Sequence, residues 1–333
     1  MQYEFASAEY IGDRKEQQDR LLVVPHPRAA GTVLAVLADG MGGHTGGALA
    51  AQAVVDAVAA VFADFDPQTG APQDWLKAMV LAAHDKVAAA GKGFNRDPRS
   101  TCVVVLAQPG RMDWAHCGDS RLYAFHKDVF ALRTEDHSLV EILLQQGKIT
   151  EAEVLTHPER NKLYSSLGGP EAPQISFGSF ETTRPDDSVL MASDGLWAYF
   201  RAKEMADLLE YRSPEQACAR LMELARRRAK GNGDNLSVVV LRVVEKKKQG
   251  LLKSIFLSKP AIPSPVEDAK RFMVKYLNTV LRPEAESILV TIEKCGSVQD
   301  LDAMINSTST VVVELMGKDR AEQFSERARE LMA

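Results

Sequence analysis

Four apolar, strand-like runs follow one another at residues 101–107, 112–117, 121–125 and 129–133, and the connections between them are too short to hold a helix. A parallel crossover needs about a dozen residues or more, so these neighbours must pair antiparallel. Around this block the alternation of apolar and polar residues predicts further strands at 3–12, 20–25, 174–180, 188–192 and 236–244, with another starting at Val33. Helical spacing predicts helices at 48–62, 72–90, 203–210 and 214–230. Strands and helices in separate blocks imply an α+β layered sandwich. The polar stretch 137–169, with turn signals at Gly147, Pro158 and Gly168-Gly169, interrupts the strand series and reads as a flap over a sheet edge.

The strand pattern stops near residue 245. Lys246-Lys247-Lys248 and the proline-rich Lys259-Pro260-Ala261-Ile262-Pro263-Ser264-Pro265 predict a stiff linker over 246–265. Beyond it, Met273, Tyr276, Leu277, Val280 and Leu281 recur at helical spacing, as do Ala285, Ile288, Leu289 and Ile292. The expected organisation is one large domain over 1–245 and a small α-helical module over 266–333. That module carries an apolar face that must be covered by the first domain, by a second copy or by another protein. The basic run 246–259, interleaved with Leu251, Leu252, Ile255 and Phe256, is better suited to a packed linker than to a membrane surface.

A formal net charge of −5 argues against non-specific nucleic-acid binding. No run approaches the ~18 apolar residues a bilayer span needs, and the first residues lack the basic and apolar regions of a signal peptide, so a cytoplasmic protein without membrane contact is expected. The four cysteines, Cys102, Cys117, Cys218 and Cys295, show no C-x-x-C spacing and read as reduced core thiols.

Chemistry concentrates where apolar runs end in acidic turns. The run from Val33 closes on Asp39-Gly40-Met41-Gly42-Gly43-His44, whose spacing fits neither the dinucleotide nor the P-loop fingerprint. The pattern returns at Cys117-Gly118-Asp119-Ser120, at Ala192-Ser193-Asp194-Gly195 and, in a glycine-flanked loop, at Gly233-Asp234-Asn235. One Asp-Gly pair is an ordinary turn. Several with matched apolar lead-ins, together with Asp19, are carboxylates that would repel unless cations held them, and all-oxygen donors select Mg2+ or Mn2+.

These motifs, with Arg14, Ser100-Thr101, Glu135-Asp136-His137-Ser138 and Ser193-Asp194-Gly195-Leu196-Trp197 in the same order, resemble the bacterial branch of the PPM-type (type 2C) metal-dependent serine/threonine protein phosphatases. The resemblance covers about residues 3–244 and leaves the C-terminal module outside. It implies a four-layer α-β-β-α sandwich of two antiparallel sheets flanked by helices. It also implies a pair of tightly held Mg2+ or Mn2+ ions, and a third weaker one, acting on phosphoserine and phosphothreonine through a bridging water. On that resemblance Asp39 bridges the two ions, the Gly40 carbonyl serves one, and Asp194 and Asp234 complete the other. Asp19 holds waters, Asp119 serves the third ion, and Arg14 binds the phosphate. Departures are Gln18 where an acidic residue is common, Ala48 in place of a glutamate, and Met41 where animal members carry a histidine acid. His44 is assigned to the turn rather than to catalysis.

The implied partners are phosphorylated protein substrates, with a cognate Ser/Thr kinase or scaffold engaged through the C-terminal module. A second class, a catalytically weak phosphatase-fold binding or regulatory protein acting through that module, is disfavoured by the intact Asp39, Asp194 and Asp234. A metal-dependent nuclease would want a basic groove, which the net acidity does not suggest.

Overall fold

The computed structural model describes residues 1–42, 46–91, 97–127, 129–210, 212–245, 265–280, 288, 291–292 and 295–332. His44 and the basic run of the linker lie outside them. The chain divides into two compact units, Met1–Leu257 and Ser258–Ala333.

The first unit holds two antiparallel sheets. One runs β1 (Gln2–Tyr10), β11 (Leu236–Val244), β10 (Ser188–Ala192), β7 (Arg121–His126), β8 (Val129–Arg133). The other runs β2 (Asp19–Pro25), β3 (Val33–Met41), β5 (Cys102–Gln108), β6 (Arg111–Cys117), β9 (Ser176–Phe180), with the two-residue β4 (Arg99–Ser100) paired to the end of β3. Residue parity in β3 separates the layers. Val33, Ala35 and Leu37 pack into the core between the sheets, with Val103, Val105, Val239 and Leu241. Leu34, Val36 and Ala38 face outward onto α1 (Gly46–Ala63) and α2 (Pro72–Gly91). The period of two along a strand requires this, and continuous apolar runs result when both faces are covered. On the outer face of the first sheet, α5 (Asp194–Trp197), α6 (Ala202–Leu209) and α7 (Pro214–Ala229) close a third cluster around Tyr123, Leu190 and Val238. The order of layers is α-β-β-α.

Short-range sequence chemistry explains the ends of α7. Ser213 caps it by accepting the Gln216 N–H while the Gln216 side chain returns to the Ser213 N–H, and Pro214 occupies the first turn.

α1 corrects one sequence expectation. At 18 residues it is long and apolar enough for a bilayer span, yet 56% of it is buried in the protein, as befits a helix packed on a sheet. Its apolar face of Ala and Val packs on β3 and α2, while Gln52 and Asp56 lie on the exposed side. The predicted strand at 174–180 begins only at Ser176, and β4 was not anticipated, since two residues carry no periodic signal. Cys102 and Cys117 face each other in register across β5 and β6, free and buried, as are Cys218 and Cys295.

Between β8 and β9 the chain forms α3 (Leu139–Gln145) and α4 (Glu151–Val154), tied back by bridges from Ser138 to Leu163 and from Ser100 to Leu167. In the second unit, α8 (Pro265–Val280), α9 (Val298–Met316) and α10 (Lys318–Met332) bury Ala269, Met273, Leu277, Leu301, Ile305, Phe324 and Ala328 together. Their apolar faces therefore meet within the unit. Ser297 caps α9 through the Asp300 N–H.

Candidate active site

Strand ends converge at one end of the sandwich. Asp19 opens β2 directly opposite Asp39 near the end of β3. Asp119 lies in the β6–β7 turn, Asp194 begins α5 just after β10, and Asp234 directly precedes Asn235 and β11. The charges of Asp19, Asp194, Asp119 and Asp234 all bear on Asp39, and burial with these charges pushes its carboxyl well above the usual range. Burial, with Asp194 and Asp234 adding, raises Asp19 to about 7. Asp119 is raised by burial and by Asp194 and Asp136, and Asp194 by burial and Asp234.

Asp39 is locked by its backbone. Its N–H donates to Thr101 Oγ1 at 3.0 Å, and its carbonyl accepts from Thr101 N at 2.8 Å and Ser100 Oγ at 3.0 Å. Thr101 Oγ1 in turn lies 2.7 Å from Ser120 Oγ, joining the Asp39 strand to the Asp119 turn. Gly40 is required by space: a Cβ there would lie 1.9 Å from the Gly47 carbonyl oxygen, against the start of α1. Gly12, at φ +67°, meets the Asp234 carbonyl just as closely, at 2.1 Å from an added Cβ.

The loop after β1 is held by a residue that sequence reading placed only beside the metal site. Asn235 donates from Nδ2 to the Ile11 and Glu16 carbonyls at 2.8 and 3.1 Å and accepts the Gln18 N–H at 2.8 Å. This clamp sets Arg14 against Asp234, Nη2 to Oδ2 at 2.6 Å, with the Arg14 side chain 62% exposed. Asp13 adds a bond from the Gly233 N–H at 2.6 Å. No periodicity announces such a clamp, because its partners lie more than two hundred residues apart in the chain.

Three further residues belong to the site. Arg121 forks onto Asp136, Nε to Oδ1 at 2.8 Å and Nη2 to Oδ2 at 2.7 Å. Its guanidinium lies 3.5 Å from the centre of the Trp197 ring, and Trp197 Nε1 donates to the Asp119 carbonyl at 3.0 Å. A cleft of about 550 Å³ opens between these groups and the flap, bounded by Arg14, Asp119, Asp194 and Asp234 on one side and Val140, Val154 and Arg160 on the other.

The donor set suits hard cations. Asp19 Oδ2 is buried with no hydrogen-bond partner, a state that is costly unless a proton or cation satisfies it. Among the described residues no three His, Cys, Asp or Glu side chains close on one point.

Residues 9–230 match the family model described as protein phosphatase 2C. The chain belongs to the protein phosphatase 2C family. It is similar to a putative protein phosphatase 2C-type of Streptococcus pyogenes, 30% identical over 217 residues that cover 63% of this chain and 86% of that protein. It is 33% identical over 222 residues to the serine/threonine protein phosphatase PstP of Mycobacterium tuberculosis, covering 65% of this chain but 41% of PstP. The crystal structure of the PstP catalytic domain in complex with two manganese ions superposes with a TM-score of 0.63 at 28% identity, over 73% of this chain and 99% of that one. Residues 9–230 lie within the first unit, and the phosphatase 2C fold is the four-layer sandwich described above.

The base of the flap in this phosphatase 2C domain carries a buried histidine pair. His116 and His137 stack at 4.7 Å; His137 Nδ1 accepts the Gly118 N–H at 3.2 Å, and its Nε2 lies 2.9 Å from Ser176 Oγ. Burial, with the His116 ring adding, pushes His137 down to about 4. A histidine whose folded pKa is depressed contributes stability that is present above its unfolded value of about 6.5 and lost as pH falls toward about 4. The raised carboxylates act in the opposite sense, so the histidine's share shows only against a variant that lacks it. Denaturant titrations should show a smaller acid loss for His137→Asn, whose amide oxygen can take the place of Nδ1 as acceptor for the Gly118 N–H, than for the unmodified chain. Identical pH profiles for the two would remove His137 from the acid response.

Proposed function

We propose that this chain hydrolyses phosphoserine and phosphothreonine in proteins, in the cytoplasm and opposite a Ser/Thr kinase, with Mg2+ or Mn2+ as its metal. The observation that carries the reading is the clustering of Asp19, Asp39, Asp119, Asp194 and Asp234, of which the last three line one cleft together with the exposed Arg14. Asp39, the Gly40 carbonyl, Asp194 and Asp234 would hold two cations, Asp19 would act through waters, and Asp119 would serve a third, weaker one. Bound there, the cations would supply Lewis acidity for a water nucleophile and for the phosphoryl oxygens.

The protein's own groups bind and orient. Arg14 presents a planar fork to the phosphoryl oxygens, and its contact with Asp234 sets the fork's position relative to the acidic cluster. Trp197 and Arg121 hold the Asp119 turn from behind. Met41 offers no proton to the leaving oxygen, so no side chain is assigned as general acid. The helical unit at the C-terminus is assigned to the choice of substrate, kinase or scaffold.

The test is a phosphothreonine peptide assayed after exhaustive chelation and again with Mn2+ restored. Turnover should vanish and return. Full activity in the presence of EDTA would overturn the metal-dependent reading. Restored metal binding without any turnover would favour a regulatory protein that keeps the fold.

A further inference from the structure

Behind the loop that walls the catalytic cleft lies a second cavity of about 400 Å³. Asp13 and Gly233 line both hollows, so the two share one rim. The last turn of α7 brings Arg226, Arg227 and Arg228 to this region. Two of the three are engaged. Arg227 meets Glu223 at 2.7 Å, and Arg228 bonds Glu204 and the Tyr199 carbonyl. Glu223 also receives Arg220 at 2.8 Å, which offsets its charge, and the Asp13 carboxylate accepts the Gly233 N–H.

Arg226 is different. Its guanidinium lies over the Tyr10 ring, 4.2 Å from the centroid, and among the described residues it has no carboxylate partner. Tyr10 is anchored by its place in β1 opposite Leu236. A guanidinium held against an aromatic ring by cation–π attraction keeps N–H donors for an anion and gives up less rotamer freedom when it binds one.

We propose that this cavity is a substrate subsite that takes an acidic side chain, Asp or Glu, of the phosphoprotein whose phosphoryl group occupies the cleft. The assignment rests on the phosphatase reading of that cleft. The shared rim lets one extended segment reach both hollows, and Arg226 supplies the free positive charge. Specificity for phosphosites with acidic neighbours at one register follows.

The test uses the full chain with Mn2+ and phosphothreonine peptides in which a single glutamate is walked along either side of the phosphoresidue, each against its glutamine counterpart. At one register the unmodified protein should favour glutamate by about tenfold in kcat/KM, expressed in KM, the scale of one hydrogen bond to a charged group. Arg226→Ala should erase that preference, Arg226→Lys should keep part of it, and hydrolysis of p-nitrophenyl phosphate should be unchanged in both. A side chain that merely completes the helix end would alter melting temperature and leave the preference intact, and that outcome would overturn the subsite. Equal loss on glutamate and glutamine peptides would do the same, as would the absence of any favoured register in the unmodified protein. Failure of that protein to hydrolyse even the glutamine peptides or the aryl phosphate would overturn the phosphatase reading and the subsite with it.

Discussion

Asp39→Asn is expected to lower phosphopeptide turnover by about 10³-fold or more, the scale of the several kcal/mol a bound cation contributes. The same change should leave the metal-free protein at least as stable as before. The two effects separate because Asp39 stands among four other carboxylates whose charges, with burial, raise its pKa. A group whose folded pKa is raised contributes stability at low pH and loses it as pH rises through that value. At neutral pH the metal-free cluster is therefore penalised, and an uncharged asparagine of the same volume relieves part of the penalty. Thermal melts with and without Mn2+ should show a smaller metal-induced increment in the variant, alongside its collapsed single-turnover rate. Turnover and Mn2+ stabilisation both equal to those of the unmodified chain would remove Asp39 from the site.

Arg121→Ala should be the most destabilising single change near the cleft, costing about 3–5 kcal/mol. The side chains of Arg121 and Asp136 are only 11% and 2% exposed, so deleting the arginine strands a buried carboxylate. It also strips the face of Trp197, whose indole N–H fixes the Asp119 carbonyl. For a domain of this size the melting temperature should fall by roughly 10 °C. Replacing both partners with apolar residues, Arg121→Met with Asp136→Leu, should recover most of that loss because no charge is left unpaired. A single variant within about 1 kcal/mol of the parent, or a double variant no better than the single, would show that the ion pair is not what the fold depends on.

Much of the architecture was legible because it is local. Short connections between strands force antiparallel pairing, and the run from Val33 to Ala38 is apolar at every position because one parity faces the other sheet and the other faces α1 and α2. The acidic turns were legible for a related reason: a charged residue at the end of an apolar strand breaks a strong pattern, and it does so at Asp39, Asp119 and Asp194. β4 and the helix bounds within the flap escaped because elements of a few residues have no period to detect. α1 escaped as a span-like segment because Gln52 and Asp56 interrupt its apolar run, although its 18 residues as a whole are apolar enough to pass for one.

The sequence by itself determined the α+β layering, the antiparallel pairing of the short-linked strands and the chemical type of the donors, since these follow from periodicity, connection length and side-chain identity. Tertiary structure alone decided which of those donors share one space. Asn235 joins the start of β11 to the loop after β1, Thr101 links Asp39 to Ser120, and Arg226 comes to rest on Tyr10. Each joins segments separated along the chain, and it exists only once strands have paired within their sheets and α7 has packed on β1.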